Sequence, residues 1–481
     1  MTGSFRDPSG RLFLFKDRAL RLVNNQGAAA LLDFLATDTG ENLTASRRLV
    51  TTKVLDAATD SVSFQIPEIE TQLRARGDQT LLEHERIPVQ SFPYEWPPEM
   101  LHAAGALTLD LADAALNENY LLKDANPYNV LFVDWRPVFV DVLSFERRDP
   151  RDPTWLPCNQ FVQTFLLPLL VNKQFGLRLD QLLIMNRDGI EPSQVARLSG
   201  RLQKLSPLFL SLVSIPHWLN KQQPLQDEAI YEPKKTGDPQ RARFILQQQL
   251  KRLRRQLTKV APEAGATSDW SEYMTPNKYF SLEYLKAKES FVVQTLTEIK
   301  PRRVLDVGCN TGYFSALVAS KGATVVAIDQ DPEVVGALWR RAAAENLTIL
   351  PLVVNLAQPT PAVGWRNEEC PSFLDRTRGA FDTVLMLAVL HHMLVVEQIP
   401  LEAILELVAQ LTSEYLLIEF VSPEDPMFRR LVRGRAELFA HLSKELFEST
   451  ARRWFEIVRA EDLLATRSIY LLRKRTGDSH A

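Results

Sequence analysis

The residues best placed for chemistry lie in DVGCNTGYFS (306–315), which closes the apolar run RVLDV at 303–307. Gly308 and Gly312 bracket a tight turn with Asn310 between them, and a helix beginning at Tyr313 follows at once. A glycine turn between a buried strand and a helix lets a ligand reach bare backbone and meet the unpaired amides of the helix N-terminus. Asp306 stands two residues before the first glycine. The next β-rich run, 324–328, ends at Asp329, 17 residues after Gly312. A carboxylate at that point can accept hydrogen bonds from both hydroxyls of a ribose. Two further places carry groups able to move a proton: the pair His391 and His392 after an apolar run, and Glu419 within EYLLIEFV at 414–421. An imidazole near its ordinary pKa can take a proton at neutral pH.

These residues need elements to hold them. From about residue 270 onward, strand-like runs alternate with helical ones at the spacing of a parallel α/β sheet. The first half reads differently. Between residues 10 and 95 the runs RLFLF, ALRLV, RLVTTKVL and SVSFQI predict short strands. Residues 97–116 predict a helix, with Met100, Leu101, Ala104, Leu107, Leu111 and Ala115 on one face. A hairpin follows, with strands at 130–133 and 138–142 and its turn at 134–137. Residues 155–225 are apolar and helical. A helix over 238–260 sets Leu246, Leu250, Leu253 and Leu257 in one stripe and turns Lys251, Arg252, Arg254, Arg255 and Lys259 elsewhere. The stretch APEAGATSD (261–269) has linker composition. The domains are therefore expected at 1–225 and 270–481, with the basic helix and linker filling 226–269.

The motif G-x-N-x-G with an aspartate two residues upstream departs from the G-x-G-x-x-G of dinucleotide sites. VLDVGCNTG instead closely resembles motif I of class I S-adenosylmethionine-dependent methyltransferases, and AIDQD resembles their second motif. The resemblance runs over roughly 270–475, with FDTVLMLAVLHHM (381–393) as fourth strand, EYLLIEFV as fifth, and FEIVRA with SIYLLRKR as a final antiparallel pair. It implies a Rossmann-like seven-stranded sheet and S-adenosylmethionine as cofactor. Asp306, Gly308, Asn310, Gly312 and the adjoining Tyr313 would hold its methionine end, Asp329 the ribose, and Asn355 or Leu356 the adenine. YFSLEYLKAKESF (279–291) resembles the helix that closes over the cofactor carboxylate, with Lys288 or Lys286 as the cation. In such enzymes the acceptor enters after strand four. No Asn-Pro-Pro-Tyr stands there, which argues against amide or nucleobase N-methylation. His391 or His392 is then the candidate base for a hydroxyl acceptor, and Glu419 the next candidate.

KDANPYNVLF (123–132) followed by VFVDVLSFE (138–146) resembles the catalytic and metal-binding loops of aminoglycoside phosphotransferase-type kinases. Asp124 would be the base, and Asn129 and Asp141 the magnesium ligands. Leu122 replaces the usual histidine, no glycine-rich loop precedes, and no lysine stands out as the phosphate-pairing residue, although Lys53 is conceivable. The resemblance covers about 80–175 and implies an α+β kinase-like module that does not transfer phosphate. The tandem layout is also similar to bacterial proteins labelled host-specific nodulation proteins, a label that carries no chemistry.

Composition sets the outer bounds. A chain of 481 residues exceeds one core, so two or three domains are expected. A net charge of −3 gives no whole-chain reason for a nucleic-acid partner, and the basic helix reads as a solvated face. Cys158, Cys309 and Cys370 lie far apart without histidines at ligand spacing, so neither a disulfide framework nor a metal site is expected. The N-terminus lacks the apolar core of a signal peptide, and the run 161–171 is too short to span a bilayer. A cytoplasmic enzyme is expected, with no membrane partner and no prediction of oligomeric state. The expected reaction is methyl transfer to a hydroxyl of a small or glycan-like metabolite. The alternatives are an RNA or protein methyltransferase, and a bifunctional phosphotransferase with a regulatory methyltransferase half.

Overall fold

The computed structural model describes residues 2–4, 9–56, 66, 69, 79–222, 235–263 and 281–475. The strand expected at 61–66 (residue 66 apart), the linker from 264 and the expected domain starts at 226 and 270 lie outside the described residues. The chain forms two compact units, Met1–Pro262 with Gly364–Cys370, and Glu263–Val363 with Pro371–Ala481.

The first unit opens on an antiparallel sheet of β1 (Thr2–Ser4), β2 (Gly10–Phe15), β3 (Arg18–Asn24), β4 (Thr52–Leu55) and β5 (Gln79–His84), in the order β1-β2-β3-β5-β4. Leu20, Leu22 and Val23 of β3 are fully buried, the signature of a central strand. Two helices, Asn25–Leu35 and Asp38–Ala45, stand where only strands were expected. Their start signals are in the sequence: Asn24 and Thr37 cap them by accepting from the amides of Gly27 (2.7 Å) and Gly40 (3.0 Å). Ala28, Leu31 and Phe34 then recur at helical spacing and are buried.

The helix Pro98–Ala115 forms as expected and buries most of its length. β6 (Tyr120–Leu122) follows, and then the hairpin of β7 (Val130–Val133) and β8 (Arg136–Phe139). Asp134 takes a left-handed conformation (φ 55°), so the turn closes sooner than expected and the second strand runs over 136–139 rather than 138–142. β9 (Phe145–Arg147) pairs with β6.

The helical part of this unit contains two π turns, Val162–Leu166 and Leu210–Ser214, and each is followed two residues later by a proline, Pro168 or Pro216. A proline has no amide for the carbonyl four residues back, and its ring collides with that carbonyl. Widening the preceding turn relieves both problems. The Leu167 amide reaches Val162, and the Gln163 carbonyl accepts from Ile190 (2.9 Å) instead. The helix Pro239–Lys259 buries its expected stripe of Leu246, Leu250, Leu253 and Leu257 within the same unit, while Arg254 pairs with Asp110.

The second unit is built on β10 (Arg303–Val307), β11 (Thr324–Asp329), β12 (Ile349–Val353), β13 (Phe381–Met386), β14 (Thr412–Val421), β15 (Phe455–Leu464) and β16 (Arg467–Lys474). Their order is β12-β11-β10-β13-β14-β16-β15. The first five are parallel, and β16 enters antiparallel between β14 and β15. This is the expected Rossmann-like sheet. One boundary moves: β13 stops at Met386, and both histidines lie on the helix Leu390–Val395 rather than on the strand. Ala388, with φ 58°, turns the chain there. Among the described residues no helix is long and apolar enough to cross a membrane.

Candidate active site

Strand order reverses between β10 and β13, and a crevice opens at the carboxyl ends of the parallel strands, where open α/β sheets hold ligands. Its floor is the turn after β10. Gly308 (φ 69°), Asn310 (φ 52°) and Gly312 (φ 75°) are all left-handed, and the amides of Gly308 and Cys309 bond the Ile328 carbonyl at 2.8 and 3.0 Å. A Cβ on Gly308 would run into Val389, and one on Gly312 into Leu338. Asparagine is the residue other than glycine that best tolerates such a conformation, which accounts for Asn310 at the middle position.

The cavity over this turn has a volume of about 160 Å³. Of the residues expected at the site, Gly308, Asn310, Asp329, Asn355, Leu356 and His392 line it. Asp329 accepts from the amides of Asn310 (2.9 Å) and Asp331 (3.0 Å), so one carboxylate both ties the turn to β11 and faces the cavity. Burial raises its pKa, against the pull of these amides. Asn355 accepts from the Ala357 amide (2.9 Å), which fixes its side-chain oxygen at the rim.

The other expected residues lie behind the lining. Asp306 is buried and accepts from the Ser315 hydroxyl at 2.5 Å, and burial pushes its carboxyl up to about 7. Gly312 packs on Leu338. The Tyr313 ring stands edge-on to Phe314, and its hydroxyl bonds Glu289. Lys286 is exposed. His391 is 3% exposed, its ring centroid 4.5 Å from that of His392, and its Nδ1 has no hydrogen-bond partner among the described residues. Burial first, then His392, Arg467 and Lys288, hold its pKa well below the ordinary histidine value. His392 is shifted down less far, by burial and by Arg467.

Lys288 and Glu419 meet each other. Lys288 Nζ lies 2.7 Å from Glu419 Oε2, the Tyr284 hydroxyl donates to Oε1 at 2.7 Å, and Arg467 Nη1 reaches Oε1 at 3.2 Å. Arg467 in turn grips Asp425 with Nε (2.8 Å) and Nη2 (3.0 Å). The four charged groups are 0–3% exposed and sum to zero. Burial alone would raise the Glu419 carboxyl, but Lys288 and Arg467 hold it below its usual value.

Sequence reasoning missed the part played by Tyr284, although it lies within the quoted run 279–291, and it missed Asp425 and Arg467, which no motif marks. It also missed Gln330, Ala388, Val389 and Met393, which line the cavity. For these the adjacency to Asp329 and to the histidine pair was the available signal.

A methyltransferase-domain family matches residues 277–463. The nodulation protein NoeA of Rhizobium meliloti (strain 1021) is 30% identical over 455 residues, covering 93% of this chain and 90% of that protein. The O-antigen chain terminator bifunctional methyltransferase/kinase WbdD of Escherichia coli is 33% identical over 133 residues, 27% of this chain and 16% of WbdD. Among solved structures, the N-methyltransferase NodS from Bradyrhizobium japonicum, in complex with S-adenosyl-L-homocysteine, is 14% identical with a TM-score of 0.32. The match covers 44% of this chain and 94% of NodS. A glycine turn, a carboxylate at the end of β11 that faces the same cavity and a family match over the same residues agree: the chain belongs to the family of the nodulation protein NoeA, and its C-terminal half is an S-adenosylmethionine-dependent methyltransferase.

Proposed function

We propose that the enzyme methylates a hydroxyl of a small or glycan-like acceptor, with His392 as the proton-accepting base. The observation that carries this is the presence of His392 in the same cavity as Gly308, Asn310 and Asp329. The residues fit the cofactor. The left-handed turn leaves backbone bare where a methionine end would lie, Asp329 retains acceptor capacity for ribose hydroxyls, and Asn355 and Leu356 offer a polar edge and an apolar face to adenine. When bound, S-adenosylmethionine supplies an electrophilic methyl group. With its pKa held below the ordinary value, His392 is neutral at physiological pH and can accept a proton from an acceptor hydroxyl. Glu419, saturated by two cations and a phenol, serves in this reading as the counter-charge that fixes the helix Leu282–Ile299 to β14. That the relative WbdD is an O-antigen chain terminator supports a glycan-like acceptor.

The test is transfer of labelled methyl from S-adenosylmethionine to a panel of hydroxylated acceptors that includes oligosaccharides. The expected result is an O-methyl product made by the wild type and lost in His392→Ala, with S-adenosylhomocysteine binding retained. Turnover unchanged in that variant would remove His392 from the mechanism.

A second reading concerns the first unit, which we infer to be kinase-like without phosphotransfer. Supporting it, Arg21 Nη1 lies 3.2 Å from Asp141 Oδ1, so the carboxylate that the kinase resemblance offers to magnesium is held by a guanidinium. Lys53 is exposed on β4. Magnesium-dependent thermal stabilisation by ATP, abolished in Asp141→Ala, would overturn this.

A further inference from the structure

The first unit holds a cavity of about 280 Å³ that the methyltransferase chemistry does not use. Both π turns open onto it, through Gln163 of one and Ser211 of the other, and Pro216 forms part of its wall. Its polar lining has one character. Asn159, Gln163, Gln249 and Gln256 present carboxamides, Ser211 a hydroxyl and Arg252 a guanidinium; among the described residues no carboxylate and no aromatic ring lines it. Gln256 is 8% exposed and donates to Ser211 Oγ at 3.1 Å, and Gln249 bonds the Cys158 thiol, so two of the four amides are held in place. Arg252 and Asn159 are exposed, which puts the single charge at the rim.

Such a lining selects by chemistry. A carboxamide both donates and accepts, and so does a hydroxyl, so a row of amides complements a polyhydroxylated ring. With one guanidinium it suits a single carboxylate rather than a polyphosphate. At about 280 Å³ the space is large enough for one sugar ring. We propose that this cavity binds a pyranose bearing a carboxylate, its hydroxyls against the carboxamides and its acid group against Arg252.

The test uses the full chain and two probes, glucuronate and glucose, with saturation-transfer NMR for binding and alkylation of Cys158 for location. Cys158 is only partly buried, whereas Cys309 and Cys370 are buried, and burial pushes its thiol up, so its alkylation will be slow and easily followed. Glucuronate should bind the wild type and slow Cys158 alkylation. Arg252→Ala should weaken glucuronate about tenfold while leaving glucose unchanged, and Gln256→Leu should weaken both about tenfold. Arg252 is exposed, so its variant tests binding without threatening the fold. No binding of glucuronate by the wild type, binding insensitive to both substitutions, or Cys158 alkylation unaffected by the sugar would each overturn the proposal.

Discussion

Replacing Glu419 with leucine should loosen the methyltransferase sheet far more than removing Lys288 and Glu419 together. In the wild type two positive and two negative groups, all 0–3% exposed, balance one another. Glu419→Leu leaves Lys288 and Arg467 sharing only Asp425, with one uncompensated charge inside the protein. Removing one partner of a buried pair costs about 3–5 kcal/mol, whereas replacing a whole pair by apolar side chains is often nearly neutral. The double variant Lys288→Met/Glu419→Leu keeps the bidentate Arg467–Asp425 pair and removes the excess charge, so it should recover most of the loss. Two units in one chain make a single global unfolding free energy ill-defined, and a local measurement is needed. Amide hydrogen exchange in β14 and in the helix Leu282–Ile299 supplies it. At about 1.4 kcal/mol per decade, the single variant should speed exchange there by roughly two to three and a half orders of magnitude, and the double variant by less than one. Exchange within threefold of wild type in Glu419→Leu, or a double variant looser than the single, would refute the view that charge balance holds this site.

Asp329→Ala should weaken S-adenosylhomocysteine by about a hundredfold in calorimetric titration, since it removes charge-assisted ribose bonds and the tie to the Asn310 amide; unchanged affinity would place the nucleoside elsewhere. His392→Ala should retain cofactor binding and lose about 10²–10⁴ in turnover. Because its pKa is lowered, the acid limb of the wild-type kcat profile should fall below pH 6.5, and a limb above that value would implicate another base. Asp306, raised from 3.8 to about 7 in the folded state, stabilises the fold most below pH 3.8 and loses that contribution as pH rises through 7, a change of about 4 kcal/mol. Melting curves of Asp306→Asn should therefore exceed wild type at pH 8 and converge with it in acid, and parallel curves would show the carboxyl to be ionised throughout.

The parallel strands and the ligand turn could be read directly, because buried β runs and a G-x-N-x-G turn are local signals. Asp329 was legible for the same reason: it ends a strand at a fixed distance from the turn. The helices Asn25–Leu35 and Asp38–Ala45 were missed although Asn24 and Thr37 announce them, because short apolar runs serve strands and helices alike. The roles of Lys288 and Glu419 depend on a partner, Arg467, that lies 48 residues beyond Glu419 in sequence. Pairing at that range is set by sheet register and leaves no periodic trace. The same holds for the different surroundings of His391 and His392. Adjacent on the chain, they part only because a helical turn aims one at the cavity and the other into the core.

Placing β16 between β14 and β15 has a consequence for how the protein is made. A strand drawn from 467–474 fills an interior position of a sheet whose other members emerge from the ribosome earlier. Until it arrives, β14 presents an unpaired edge and Glu419 and Asp425 lack the guanidinium they share. A chain interrupted before residue 467 would carry every described residue that lines the cavity over the glycine turn and still expose a sticky strand with unbalanced acid groups. Such a fragment is a substrate for chaperones and proteases rather than a weaker enzyme.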